Sequence, residues 1–213
     1  MRIEHRNVGP FLENSYLVID EASMRAVMID PGAEPGVLTQ LVEKSGATLE
    51  AIWLTHAHID HIGGIRGVRE RWPVPVHLHA LDRPLFDRSA EIATMFGVPF
   101  EPPDAPTDEL EEGQQVGVGT LRFDVMHVPG HAPGHVVFVG EGVMLGGDML
   151  FAGSIGRTDM PYCDPAAMDR SLERIATFEP DLAVYPGHGA ATTIAKEIAT
   201  NPYLRGVARP LKR

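Results

Sequence analysis

Six consecutive residues, His56-Ala57-His58-Ile59-Asp60-His61, carry three imidazoles and a carboxylate directly after the apolar run Ala51-Ile52-Trp53-Leu54. Burying so many polar groups without a cation is costly, and nitrogen and oxygen donors of this kind suit a borderline divalent ion. The spacing says how they are held. On a helix His56 and His58 would diverge by about 200°. In an extended segment at a strand end the same pair points to one side. Asp60 and His61 follow at a change of direction before Gly63-Gly64 and can face a second point nearby. This is a two-metal layout, unlike helical zinc pairs with His at i and i+4.

Three later segments repeat one pattern, an apolar strand followed by small residues and then a ligand type. They are Val128-Pro129-Gly130-His131, Leu145-Gly146-Gly147-Asp148 and Tyr185-Pro186-Gly187-His188. Small neighbours let backbone and ion approach closely. Each signal is weak alone, but together they suggest several strand ends converging on one edge. Asp30, in Asp30-Pro31-Gly32, ends a neighbouring strand and reads either as an acceptor behind a ligand imidazole or as a plain turn former. His135 leads straight into a strand and reads as a supporting or core residue. His77 and His79 alternate onto one strand face without Asp or Gly support and read as structural, as do His5 and His127.

The elements that must position these side chains can be traced in order. Tyr16–Ile19 and Ala26–Ile29 read as a strand pair. Glu34–Ser45 has helical spacing at Val37, Leu38, Leu41 and Val42 and a stop at Gly46. The strand 51–54 leads into the histidine-rich turn, and Ile65, Val68 and Trp72 line a short helix. Val74–Leu78 reads as a strand, and Leu81 to about Phe96 as a helix. Six acids and no base lie between Pro99 and Gly113, the mark of a solvated surface loop, with a lid as the alternative. Strands follow at 121–128, 135–139 and 143–145. A helix opens at Asp164-Pro165, cap residue then Pro. A strand at 181–185 and a helix from about Thr192 to Asn201 close the order. No repeat or linker is evident, and one layered domain over residues 1–213 is expected: two sheets face to face with helices outside.

At 213 residues with 44% hydrophobic and 22% charged residues, the composition is that of a globular protein. A formal charge of −11 argues against nucleic acid or an anionic membrane as partner and leaves a small-molecule substrate. Cys163 is the only cysteine, so no intrachain disulfide forms, and it reads as a small filler. The first residues lack an apolar signal core, and no stretch approaches the roughly 20 apolar residues of a membrane span. A cytoplasmic location is expected. Nothing in the sequence sets an oligomeric state.

The ordered set His-x-His-x-Asp-His, Pro-Gly-His, Gly-Asp and Pro-Gly-His resembles the metallo-β-lactamase superfamily over nearly the whole chain. Finer features are similar to its short, single-domain glyoxalase II-like (hydroxyacylglutathione hydrolase-like) subgroup: Glu13-Asn14-Ser15-Tyr16-Leu17, Asp30-Pro31-Gly32, residues 129–135, Gly147-Asp148-Met149-Leu150-Phe151, residues 153–159 and Asn201-Pro202-Tyr203-Leu204. The resemblance implies an α/β fold, the four-layer αββα sandwich. It implies one metal site of His56, His58 and His131, a second of Asp60, His61 and His188, and Asp148 bridging. It also favours the acceptor role for Asp30 over the plain turn former. Two divalent ions are the implied cofactors, zinc first by affinity ordering, with iron or manganese as alternatives. Their +4, against −3 from Asp60, Asp148 and a bridging hydroxide, leaves about +1 to attract an anionic substrate.

The implied reaction is hydrolysis of a thioester of the lactoyl-glutathione type by the bridging hydroxide, with Asp60 as the catalytic residue that orients it. Arg157 and Tyr162 are candidate substrate contacts. Two alternatives stay open: an iron-dependent persulfide dioxygenase using His58, His131 and Asp148, and a lactonase or other esterase. Dinuclear β-lactamases commonly differ at the His61 and Asp148 positions, which disfavours antibiotic hydrolysis here. In full-length glyoxalase II the glutathione contacts come largely from an added helical C-terminal domain. Only 25 residues, 189–213, follow His188, so glutathione recognition is not carried over.

Overall fold

The structure is a computed structural model that describes residues 1–211. One sheet is built from β1 (Arg2–Val8), β2 (Glu13–Asp20), β3 (Arg25–Ile29), β4 (Thr48–Trp53), β5 (Val76–His79) and β6 (Asp108–Leu110), in that spatial order. The other contains β7 (Gln115–Val118), β8 (Leu121–His127), β9 (Val136–Gly140), β10 (Val143–Gly147), β13 (Ala183–Pro186) and β14 (Thr192–Thr193), in the order β14-β13-β10-β9-β8-β7. A small ribbon pairs β11 (Leu150–Phe151) with β12 (Ser154–Ile155).

Period-two alternation along each strand separates three cores. In β2, Tyr16 and Val18 turn inward with Val27, Trp53, Phe123, Val125 and Phe138, forming the layer between the sheets. Leu17 and Ile19 turn outward against α1 (Pro35–Ser45) and α3 (Ile65–Arg71) through Leu38, Leu41 and Val68. On the far side, Val137, Met144 and Val184 meet Met168, Leu172 and Ile175 of α6 (Pro165–Ile175). Three apolar interfaces make four layers, helix, sheet, sheet, helix: the expected αββα sandwich. All eight residues of β2 are buried because both of its faces are covered.

Strand directions explain why one edge collects the polar residues. β3 runs parallel to β4, and β10 parallel to β13. β8 is antiparallel to β9, which is antiparallel to β10, so β8 and β10 point the same way. The carboxyl ends of these strands therefore open on one rim. The opposite end is tied by Asp20, whose carboxylate accepts from Thr120 N (2.7 Å), Ala22 N (3.0 Å) and Ser23 Oγ (2.7 Å) across the two sheets.

Some elements differ from expectation. The helix expected over Leu81 to Phe96 is broken into a 3₁₀ turn (Ala80–Asp82), α4 (Arg83–Asp87) and α5 (Ser89–Phe96). Pro84 lacks an amide hydrogen and so opens a helix rather than continuing one, and Arg88 leaves helical geometry at φ −98°, ψ 8°. The acidic stretch after Pro99 is not wholly loop: Asp108–Leu110 adds an edge strand to β5, with Leu110 buried and Glu109 exposed. β1 has only two apolar residues in seven, Ile3 and Val8, and it forms because residue-by-residue pairing with β2 satisfies its backbone. No helix among the described residues is long and apolar enough to cross a membrane.

Candidate metal centre

The rim at the strand ends gathers all seven predicted ligand residues. His56 and His58 follow β4 in extended backbone, while Asp60 and His61 lie on the single-turn helix α2 (Ile59–Ile62). His131 follows β8, Asp148 follows β10, and His188 follows β13. Donor atoms of His56, His58 and His131 lie within 4.8 Å of one another, as do those of Asp60, His61 and His188. Asp148 stands between the groups. Its Oδ1 is 3.4 Å from His61 Nε2, and its Oδ2 is 3.4 Å from His131 Nε2 and 3.5 Å from His188 Nε2.

The outer partners fix which ring nitrogen keeps its lone pair. Asp30, held at φ 47°, accepts from Thr55 N (2.7 Å), Thr55 Oγ1 (2.6 Å) and His61 Nδ1 (3.0 Å). Because the Thr55 hydroxyl donates to Asp30, it must accept from His56 Nδ1 at 3.0 Å. His131 Nδ1 donates to the Arg157 carbonyl at 2.8 Å. Three rings thus carry hydrogen on Nδ1 and present a bare Nε2 inward. Asp30, His56 and His61 also cluster within 4.8 Å, but Asp30 serves the Nδ1 side of both rings, behind the centre rather than in it.

The electrostatics differ between the two groups. Burial pushes His56, His58 (to about 3), His131 and His135 below the ordinary imidazole range, so these rings are neutral. Burial also opposes charge on Asp148, but His61 above all outweighs it and holds the carboxylate ionised. Asp60 is held low in the same way, chiefly by its contact with His188 (3.3 Å). In turn, against burial, Asp148 with Asp30 pushes His61 above the ordinary imidazole range, and Asp60 with Asp148 does the same to His188. Buried His56 Nε2, His61 Nε2 and Asp148 Oδ1 have no hydrogen-bond partner. Neutral His56, His58 and His131, ionised Asp60 and Asp148 and the orphaned inward atoms suit divalent cations, and at His61 and His188 a cation would stand where the carboxylates otherwise favour a proton.

His135, whose Pro-Gly-His context imitates that of His131, takes the Asp148 amide on Nε2 at 3.1 Å and stacks on His56 at 4.8 Å. It supports the centre from outside. His79 accepts from Leu81 N and stacks on His127 at 4.4 Å, away from the centre. Arg157 and Tyr162 line the cavity over the centre. The Arg157 guanidinium is engaged by Asp159 (2.7 and 3.0 Å), and Tyr162 takes a hydrogen bond from Arg88. Cys163 donates to the His131 carbonyl at 3.0 Å.

Two supports escape sequence reasoning. Asp82 accepts from Ala57 N (2.8 Å) and Gly134 N (2.5 Å), tying the turn that holds His56 and His58 to the one that holds His131. Nothing in its Ala-Leu-Asp-Arg context marks it. Asn14 donates to the carbonyls of Pro186 and Gly189 (both 2.9 Å), and Tyr16 to Pro186 (2.7 Å), fixing the His188 turn. The motif around Glu13 was visible, but not that it serves a turn some 170 residues away.

A family model described as the metallo-beta-lactamase superfamily matches residues 8–188. The chain belongs to that superfamily. Among curated relatives, a hydroxyacylglutathione hydrolase, GloC, of Haemophilus influenzae is 34% identical, the match covering 96% of this chain and 98% of that one. Among solved structures of similar fold, TTHA1623 in a di-iron-bound form is 42% identical with a TM-score of 0.88, covering 94% of this chain and 100% of that one. The BLEG-1 B3 metallo-beta-lactamase is 34% identical with a TM-score of 0.89, covering 95% and 99%. ETHE1 from Myxococcus xanthus is 28% identical with a TM-score of 0.80, covering 97% and 85%. Membership in this superfamily and the His/Asp cluster together support divalent metal binding.

Proposed function

We propose that the protein is a dinuclear metal-dependent hydrolase that cleaves thioesters, of the glyoxalase II-like type. The observation that carries this reading is the pair of three-donor groups joined by Asp148. His56, His58 and His131 would hold one ion, Asp60, His61 and His188 the other, and Asp148 both. A structural site closes with four donors; seven around two points leave room for chemistry.

When bound, the two ions supply a deprotonated water at neutral pH and a Lewis acid for the carbonyl oxygen. The chain's own contribution is placement. Asp60, beside His188 at 3.3 Å, orients the attacking water, and Asp30 and Thr55 keep the His56 and His61 rings in the tautomer that presents Nε2. Water adds to the carbonyl carbon, the C–S bond breaks, and the thiol departs as thiolate. With a thiol pKa near 8.5 that departure needs little protonation, and no carboxyl group beyond Asp60 and Asp148 lines the cavity.

The test is metal analysis joined to turnover. Two ions per chain and cleavage of lactoyl-glutathione or simpler thioesters are expected, with zinc as the first ion to try. Antibiotic hydrolysis remains disfavoured by the His61 and Asp148 pattern, and a cephalosporin in the same assay checks it against the BLEG-1 likeness. A lactone panel covers the esterase alternative. The second reading, an iron-dependent dioxygenase acting on persulfides through His58, His131 and Asp148, is favoured by the likeness to ETHE1 from Myxococcus xanthus, 28% identical. One iron per chain and oxygen uptake with glutathione persulfide, with no thioester turnover, would replace the hydrolase reading.

A further inference from the structure

Directly over the candidate ligands His58, Asp60, His131, Asp148 and His188 lies a cavity of about 540 Å3, a size that accommodates a small organic ligand. Its walls are not those expected for a peptide-like, multiply charged thiol. Leu85 of α4, Ile92, Met95 and Phe96 of α5, and Phe11 from the β1–β2 turn line it together with Phe151, Ile155 and Met160. Met95 is 76% exposed and Phe96 51% exposed, and Phe96 meets Phe11 edge-on at 6.2 Å. Large apolar side chains held open to water around a polar centre mark a binding surface rather than a core.

The cations on the wall are already engaged. Arg88 donates through Nε and Nη2 to Glu91 (2.9 and 2.8 Å) and through Nη1 to Tyr162. Arg157 makes a two-pronged contact with Asp159 at 2.7 and 3.0 Å. No lysine lines the cavity. The neighbouring cavity behind Phe11 carries Arg66 but also Glu34, Glu70 and Glu101. A substrate with free carboxylates would find both guanidiniums of the main cavity already engaged, and next to it a single arginine, Arg66, set among three glutamates.

We infer that this cavity takes a carbonyl substrate bearing an uncharged apolar chain, on the acyl or the leaving-group side, in preference to a glutathione conjugate. This rests on the hydrolase reading for the reaction, but not for the binding. Met95 and Phe96 are the side chains that select the chain, with Phe11 closing over it.

Two measurements on the fully metal-loaded protein test the inference. The first is calorimetric binding of the carboxylates acetate, butyrate, hexanoate and octanoate, which needs no turnover. Burial of each added methylene raises affinity by up to about fourfold, so hexanoate should bind at least tenfold more tightly than acetate. The second is kcat/KM for two thioester series, one varying the acyl chain on a fixed thiol and one varying the thiol on a fixed acetyl group. A rise of tenfold or more along either series, to values above lactoyl-glutathione, is expected, and the series that rises says which side carries the chain. In the doubly substituted Met95→Glu/Phe96→Glu protein, with circular dichroism and metal content checked, the hexanoate-over-acetate ratio should fall at least fivefold. Equal affinities along the carboxylate series, or lactoyl-glutathione as the best thioester with neither series rising, would overturn the inference while leaving the hydrolase intact. If no thioester is cleaved, the hydrolase reading fails and the calorimetric series alone decides the cavity.

Discussion

The Asp82 carboxylate accepts the amide hydrogen of Ala57, the peptide unit between His56 and His58, at 2.8 Å. Its other oxygen takes Gly134, so one buried acid holds the β4 and β8 ligand turns together across the two sheets. Asp82→Ala would leave two buried amides unpaired. Each such loss costs roughly 1–3 kcal/mol, so urea denaturation should show a fall of about 2 kcal/mol or more. Metal affinity, read by competition with a chromophoric chelator, should drop about 10- to 100-fold, the usual cost of a lost outer partner. Unchanged affinity would show that the turns hold their geometry without it.

Gly187 bears on the neighbourhood of Asp148 in a different way. A Cβ at this position would lie 2.3 Å from Asp148 Oδ1 and 2.8 Å from His61 Cε1. Neither neighbour is free to retreat. Gly187→Ala should reduce bound metal below one ion per chain and lower stability by about 1–3 kcal/mol, the range for overpacking. Metal analysis and a denaturation curve on the purified variant read both.

Asp60→Asn keeps the shape of the side chain and removes its charge. The expected result is loss of roughly one of two ions per chain and a fall in kcat/KM of at least about 100-fold, a magnitude typical of losing a key electrostatic element. Retention of both ions and full rate would contradict the role given to Asp60.

Chelation should destabilise the whole fold. Three of the donor atoms are buried and unpartnered without an ion, and ligands that bind only the folded state stabilise by about 2.7 kcal/mol at a hundredfold excess over Kd. The thermal midpoint should fall on removing metal and return on adding zinc back.

Asp20 supplies a pH prediction at the opposite end of the sandwich. The Thr120 amide, with Ser23, Ala22 and the Thr120 hydroxyl, holds its carboxyl well below the usual carboxylate range. A depressed folded-state pKa adds stability that is present above the unfolded value, about 3.9, and is lost as pH falls through the folded one. Asp20→Asn should therefore narrow the gap in urea midpoint between pH 7 and strongly acidic solution. An unaltered gap would show that Asp20 contributes nothing to it.

Much of this arrangement could be read from residue types because metal coordination constrains sequence locally. His56, His58, Asp60 and His61 must be close in the chain to be close at one strand end, and glycine must stand beside His131, Asp148 and His188. The αββα layering followed from period-two strands and the family motifs. What could not be read is long-range. Asp82 and Asn14 work through backbone amides and carbonyls of distant turns, which leave no pattern at the contacted positions. β1 and β6 exist through pairing rather than through their own apolar content, and the break at Arg88 depends on how α4 and α5 pack. Arg157 looked like a free cation because its partner, Asp159, shares a loop whose shape the sequence does not reveal.

Five of the seven candidate ligands follow strand ends and the other two, Asp60 and His61, sit on the single helical turn just after β4, whereas the chamber above them is walled largely by connecting segments: the β1–β2 turn, α4–α5 and residues 151–162. Reactivity and selectivity are thus assigned to separate parts of the polypeptide. On the proposed hydrolase reading, exchanging α4–α5 with the corresponding stretch of another protein of this architecture is expected to redirect what is cleaved without rebuilding the metal-holding turns.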